Sequence, residues 1–144
     1  MAKQRKENCM TRHTGHSIAD VVDQADAATN IIGGVPVLFT FALADGATAT
    51  TTYTVRNKIE IIDVIVEKRA GAGGASDTLQ VKNNTDAVTD AIDINIADKV
   101  VKRAGTIDDA FSTISAGGTL AITKTKASAA NVACLVTVVG IRRA

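Results

Sequence analysis

Residues 35–55 read VPVLFTFALADGATATTTYTV, and this stretch decides the fold. Its first part is apolar at every second position, and its second part alternates threonine with alanine, tyrosine and valine. Alternation of this kind is typical of strands that bury one face, and the pair Asp45-Gly46 between the two parts is a strong turn signal. The stretch therefore predicts a β-hairpin at the start of a mainly β domain.

The rest of the chain carries further short alternating runs separated by glycine, asparagine and aspartate, which gives about eight strand candidates in all. Between residues 58 and 68 the apolar period slips by one position, which predicts a β-bulge near Ile61 and Ile62. Residues 130–141 are apolar on both faces, so we expect this strand to be covered on both sides. Strand number and turn spacing together predict one antiparallel, jelly-roll-like β-sandwich over residues 17–144.

Three segments depart from the strand pattern. Residues 106–118 combine apolar side chains at helical spacing with a capping box of Thr106 and Asp109, which predicts one short helix crossing between sheets. Residues 17–25 also show helical spacing, although strand-type residues follow directly. In the glycine-rich residues 71–77, Ser76 stands where the dinucleotide-binding pattern GxGxxG has its last glycine, and the lysine of a Walker loop is absent. We therefore interpret them as a hairpin loop.

Residues 1–16 differ from the body of the chain because they are polar, charged and without any period. A single acid, Glu7, stands against four basic residues, which are Lys3, Arg5, Lys6 and Arg12. This composition predicts a flexible basic N-terminal arm that becomes ordered on a partner, through contacts with phosphates or with an acidic protein surface. The alternative is a tail that only improves solubility.

Composition argues against catalysis and against a metal centre. No histidine follows His16, so a Cys-His or Ser-His pair would need the arm. The acids of residues 86–109 lack EF-hand spacing, and Cys134 lies among valines as a small apolar residue does. No apolar run approaches the ~20 residues of a membrane helix. We therefore expect no enzyme, no cofactor, no metal site and no membrane partner.

Three segments resemble those of a known family. They are GAGGASDTLQVKN at residues 71–83, DAVTDAIDINIADKVVKRAGTIDDAFSTISAGGTLAITKT at residues 86–125, and the last strand pattern at residues 136–143. Over residues 35–143 the chain resembles head decoration, or cement, proteins of tailed bacteriophages. The resemblance implies a β-sandwich, often oligomeric, that sits on the outside of an icosahedral shell and clamps neighbouring capsid subunits. It carries no catalytic motif.

From this resemblance we expect a structural virion protein on the capsid surface, made in the host bacterial cytoplasm. Its expected partners are the major capsid protein and further copies of itself, as a homotrimer. Two other functions compete with this one. A glycan- or receptor-binding head fibre would use exposed loops such as residues 71–77, although Tyr53 is the only tyrosine and tryptophan is absent. A nucleic-acid-binding virion protein would use the arm, and nucleic acid is the less favoured partner.

Overall fold

The computed structural model describes residues 34–44, 46, 48–71, 74, 76–126 and 132–143. Within these residues there are ten strands and no helix. In chain order they are β1 Val35–Leu43, β2 Ala49–Thr54, β3 Ile59–Ala70, β4 Thr78–Asn83, β5 Asp86–Ala87, β6 Ile92–Asp93, β7 Val101–Arg103, β8 Thr113–Ile114, β9 Thr119–Thr125 and β10 Ala133–Arg142. The basic arm and the helical pattern of residues 17–25 lie outside the described residues.

The strands form two five-stranded sheets. In the first sheet the order is β1-β10-β3-β7, with β8 also paired to β3. In the second sheet the order is β2-β9-β4-β5, with β6 also paired to β4. The pairings for which a register is resolved are antiparallel. The predicted antiparallel β-sandwich is thus confirmed, and the narrower jelly-roll connectivity stays a prediction.

The core lies between the sheets and consists almost entirely of branched aliphatic side chains. From β10 it takes Cys134, Val136 and Val138, while the residues between them on that strand are half-buried on the outer face. Every second residue of β10 is therefore buried, as the apolar pattern of the sequence predicts. The other buried apolar residues of the core are Leu43, Val55, Ile59, Ile61, Val64, Val66, Leu79, Val81, Val88, Ile92, Ile94, Ile114, Leu120, Ile122 and Val132.

The predicted hairpin of residues 35–55 is wrong. The two strands form as expected, but β1 pairs with β10 in the first sheet and β2 pairs with β9 in the second. Their apolar rows face each other across the sandwich, where Phe39 and Phe41 contact the ring of Tyr53. A turn signal specifies a chain reversal but not whether the returning strand joins the same sheet. The loop of residues 71–77 likewise joins different sheets, β3 and β4, and is not a hairpin loop.

The bulge predicted near Ile61 and Ile62 is confirmed. Opposite β10 the register jumps from Asp63, paired with Val139, to Ile61, paired with Gly140, so that Ile62 has no partner of its own. Ile61 and Val64 are both buried, whereas Ile62 is 47% exposed. The extra residue therefore lets odd-numbered and even-numbered residues of one strand contribute to the same core.

The helix predicted over residues 106–118 is wrong. Two separate turns form there. In the first, the Ser112 N–H donates to the Asp108 carbonyl at 2.9 Å and the Ala110 N–H donates to the Asp108 carboxylate at 2.9 Å; in the second, the Gly118 N–H donates to the Ser115 carbonyl at 2.9 Å. Ile107 instead makes a bridge to Thr89, and Ile114 pairs with Ile59 in β8. Tertiary pairing thus outweighs a weak helical preference, aided by an aspartate side chain that competes for the backbone.

Candidate assembly surfaces

The residues singled out as a binding arm, Lys3, Arg5, Lys6 and Arg12, lie outside the described residues. The acids singled out as a possible metal site are described, and within the described ranges no group of three or more metal-ligating side chains occurs. Asp90 accepts hydrogen bonds from the backbone N–H groups of Gly105 and Thr106 at 3.0 and 3.4 Å. Asp93 accepts one from the Asn95 N–H at 2.8 Å. These carboxylates hold loops in place.

The short strands β5, β6, β7 and β8, with the segments between them, make up what we call the closed flank, residues 84–118. Here the chain crosses between the sheets and bonds to both. Thr89, which follows β5, bridges to Ile107, and the Asp108 N–H donates to the Val88 carbonyl at 2.8 Å. The Asn83 amide at the end of β4 donates to the carbonyls of Phe111 and Thr113 at 3.2 and 3.0 Å. Hydrogen bonds therefore join the two layers on this side.

The opposite side, which we call the open flank, is formed by β1 and β2. Here we find ring contacts joining the layers: the centroid of Tyr53 lies 5.3 Å from that of Phe39 and 6.4 Å from that of Phe41. A cleft of about 280 Å³ borders these rings, lined by Leu38, Phe39, Tyr53, Arg56 and Arg142 among others. A second cleft of about 390 Å³ lies where β1 ends and β2 begins, against Lys124. Both clefts are shallow grooves between edge strands and hold no converging set of carboxylates.

Strand β2 is exposed at each of its six positions. Its register with β9 places Thr50, Thr52 and Thr54 opposite Thr123, Ala121 and Thr119 on the outer face of the second sheet. Next along the chain, the Val55 N–H donates to the Gly118 carbonyl at 2.9 Å, on the β9 side. Since backbone groups of an antiparallel strand alternate in direction, the N–H and C=O groups of Thr50, Thr52 and Thr54 point away from β9, toward solvent.

The outer face of the first sheet has a different character. Along β10 it presents Leu135, Val139 and Ile141, all half-buried, and on the neighbouring edge strand Leu38 is 67% exposed. Charged pairs border this apolar strip along β3. Arg103 pairs with Asp63, Arg69 lies 2.9 Å from Glu67, and the Arg143 guanidinium lies 2.5 Å from Glu60. The strand predicted to be covered on both faces, β10, is therefore buried on its inner face and half-buried on its outer face.

Three lysines that the sequence did not single out lie at the end of the sandwich where β3 and β9 finish; Lys68 and Lys124 are buried, and Lys126 is half-buried. Lys68 donates to the Ile96 carbonyl at 2.5 Å and lies 3.4 Å from Asp98. Lys124 donates to the carbonyls of Ala44 and Val132 at 2.6 and 3.1 Å. Lys126 lies 3.5 Å from the buried carboxylate of Asp77. The ammonium groups of Lys68 and Lys124 thus hold backbone carbonyls beside the strands, and that of Lys126 lies near a carboxylate. The one sequence signal for the burial of Lys68 and Lys124 is their position, because each falls on the inward-facing row of its strand.

Cys134 lies on the inner face of β10 and is a free thiol. Burial raises the pKa of this thiol above its ordinary value of 9.0, and the charges of Lys124 and Lys68 oppose that rise. Neutral thiols are poor nucleophiles, and this one faces the core. As the sequence indicated, Cys134 packs as a small apolar residue.

The fold is similar to that of chains from two phage capsid structures. Neither a protein-family model nor a curated protein matches the chain. Among solved structures, a chain of the cyanophage Pam1 capsid asymmetric unit is similar, with a TM-score of 0.54 and 19% identity over 77% of this chain and 87% of that one. A chain of the acid-stable capsid of Helicobacter pylori bacteriophage KHP30 has a TM-score of 0.50 and 14% identity over 78% of this chain and 92% of that one.

The resemblance to phage head proteins, inferred from sequence, is thereby confirmed at the level of fold. Both neighbours are matched over most of their own length, so the likeness concerns a whole sandwich. No helix within the described residues is long and apolar enough to cross a membrane.

Proposed function

We propose that this chain is a structural virion protein that binds the outside of a tailed-phage capsid and stabilises it. The single observation that carries the proposal is the shared sandwich fold, matched over 87% and 92% of two chains taken from phage capsid structures. In this proposal the protein performs no reaction and needs no cofactor. Its partners are the major capsid protein and other copies of itself, with three copies as the expected assembly.

The surfaces of the sandwich support an adhesive role. Stable attachment to a shell requires a large contact built from many modest interactions, which extended flat faces provide. The apolar strip along β10 with Leu38 and the uncharged outer face of β2 and β9 are two such faces. In the proposal the basic arm, with Lys3, Arg5, Lys6 and Arg12, adds an electrostatic contact with the shell.

The test is reattachment to phage heads that lack the protein. Purified protein is mixed with undecorated heads, and co-sedimentation and the temperature of head disruption are measured. We expect saturable co-sedimentation and a higher disruption temperature. A truncation lacking residues 2–16 should bind more weakly while its melting transition stays cooperative. Full-length protein that neither co-sediments nor raises the disruption temperature would refute the proposal.

One observation favours a second function, recognition of a glycan. Tyr53 is 38% exposed and borders the cleft of the open flank, and aromatic rings are common platforms for sugars. Its ring also contacts Phe39 and Phe41, which hold it at the mouth of this cleft. A reproducible, saturable signal on a glycan array, lost in Tyr53→Ala and kept in a distant variant such as Lys102→Ala, would favour this function over capsid stabilisation.

A further inference from the structure

The edges of the two sheets are protected to very different degrees. Unpaired edges are templates for another strand, and proteins block them with charge, proline, bulges or very short strands. On the closed flank β5, β6 and β8 are two residues each, and β7 has three residues, of which Lys102 and Arg103 are charged. On the open flank the edge strand β1 carries Pro36. Each of these edges therefore has at least one blocking feature.

Strand β2 has none of these features. It reads ATTTYT, without a charge, a proline or a glycine, and its register with β9 runs without a bulge over six consecutive pairs. Within the described residues its other edge pairs with no strand, and each of its residues is exposed. The outward N–H and C=O groups of Thr50, Thr52 and Thr54 form a regular row, which a partner strand can satisfy.

We propose that β2 pairs with β2 of a second copy of this chain, antiparallel and across a two-fold axis, so that the second sheet continues from one subunit into the next. When a strand pairs antiparallel with a copy of itself, its residues lie opposite residues of the same sequence read in reverse. A charged strand would then place like charges opposite each other. The sequence ATTTYT carries no charge to oppose, and threonine facing threonine is a favourable cross-strand pair. Such a contact is isologous and closes at two copies, because each subunit uses the same edge, the one edge without a blocking feature among the described strands.

This inference deepens the proposed function and rests on it for its biological role. A two-fold contact through β2 doubles the number of subunits in the assembly that contains it. If the subunits are otherwise separate the product is a dimer, and if they form the expected trimers, with the two-fold axes crossing the three-fold axis, the product is a pair of trimers. The contact joins decoration units to one another and not to the shell, so the two claims can fail separately.

The test is the mass of the purified full-length protein in solution, measured by sedimentation velocity across a dilution series, for the original chain and two variants. Thr52→Pro removes an outward N–H without removing a bond to β9, which an edge strand tolerates. Thr52→Ala removes the same side chain and keeps the N–H. We expect Thr52→Pro to halve the mass and weaken association roughly tenfold or more, because each pair loses two backbone bonds. Thr52→Ala keeps the backbone bonds and loses only a cross-strand side-chain contact, so it should weaken association by no more than a few-fold.

Hydrogen exchange provides a readout that needs no variant. Amide protection of Thr50, Thr52 and Thr54 should rise with protein concentration. Protection of Thr51 and Tyr53, whose amides point toward β9, should not. An unchanged mass in a folded Thr52→Pro, an equal loss in Thr52→Ala, or protection independent of concentration would each overturn the inference. A protein that stays a single unit yet binds undecorated heads would keep the proposed function and lose this contact.

Discussion

The closed flank and the open flank of this sandwich solve the same problem, holding two sheets together, in different ways. On the closed flank the chain crosses repeatedly between layers and ties them with backbone and amide hydrogen bonds from Asn83, Val88 and Asp108. On the open flank β1 and β2 lie in different sheets and face each other, held across the layers by the rings of Phe39, Phe41 and Tyr53. One side thus ties its two layers together by hydrogen bonds, and the other joins them through side chains and leaves the outward backbone groups of β2 without a partner strand in the described part of the chain.

The largest expected effect comes from removing the buried anchor of the closed flank. Ile114 is fully buried and pairs with Ile59, so Ile114→Ala leaves a cavity in the core. We expect a loss of about 2–5 kcal/mol in the free energy of unfolding, measured by chemical denaturation. The matched open-flank variant Leu38→Ala, at an exposed position, should change it by less than about 0.5 kcal/mol. Equal losses in the two variants would remove the distinction between the flanks.

A smaller effect is expected at Asn83, whose amide bonds two carbonyls of the crossing segment. Each such bond contributes roughly 1 kcal/mol net, so Asn83→Ala should lower the free energy of unfolding by about 1–2 kcal/mol. Asn57→Ala, at an exposed position, is the control and should be neutral. Hydrogen exchange in Asn83→Ala should accelerate at Phe111 to Ile114 before it does in β1. Uniform acceleration would mean that this amide does not serve the flank in particular.

Sequence reasoning worked best where burial alone sets the pattern. The strands β1, β3, β9 and β10 and the bulge at Ile62 follow from alternating apolar residues, because a pleated strand with one buried face leaves no other arrangement. The pairing of the strands cannot be predicted from alternation in the same way. The pattern of residues 35–55 is equally compatible with a hairpin and with two strands facing each other across a core, and the strands that pair with β1 and β2, which are β10 and β9, lie far away in the sequence.

The candidate surfaces were less predictable than the fold. Exposure of β2 depends on which strand lies beside it, and no local property of ATTTYT distinguishes an edge from a centre. The helix expected at residues 106–118 failed for the same reason, since Ile107 and Ile114 found partners in distant strands. The buried Lys124 was overlooked because lysine is ordinarily exposed, although its position matches the inward row of β9.

The open flank should respond to loss of its rings by a smaller amount than the closed flank does to loss of Ile114. Tyr53→Ala removes both ring contacts from a side chain that is partly exposed, and we expect a loss of roughly 1–2 kcal/mol in the free energy of unfolding. Tyr53→Phe keeps the ring and should be nearly neutral. If Tyr53→Phe cost as much as Tyr53→Ala, the hydroxyl and not the ring would hold the flank.

The smallest expected effect is a pH dependence near Lys124, whose ammonium group holds the Ala44 carbonyl in the connection between β1 and β2. Burial raises the pKa of the Cys134 thiol above 9.0, so the folded protein holds this proton more tightly than the unfolded chain does. The thiol therefore contributes stability that is complete below about pH 9 and is lost as pH rises toward the higher folded pKa.

Chemical denaturation of the original chain and Cys134→Ala between pH 7 and 10.5 isolates this contribution, because every other titrating group is common to both. The variant should be less stable at pH 7, since it lacks a buried sulfur, and the difference between the two chains should narrow above about pH 9. In a Lys124→Met background, which lacks one of the opposing charges, the pKa of the folded thiol should rise further, so the narrowing should still begin near pH 9 but continue to higher pH. A difference that stays constant across the range would show that the thiol titrates alike in the folded and unfolded chain.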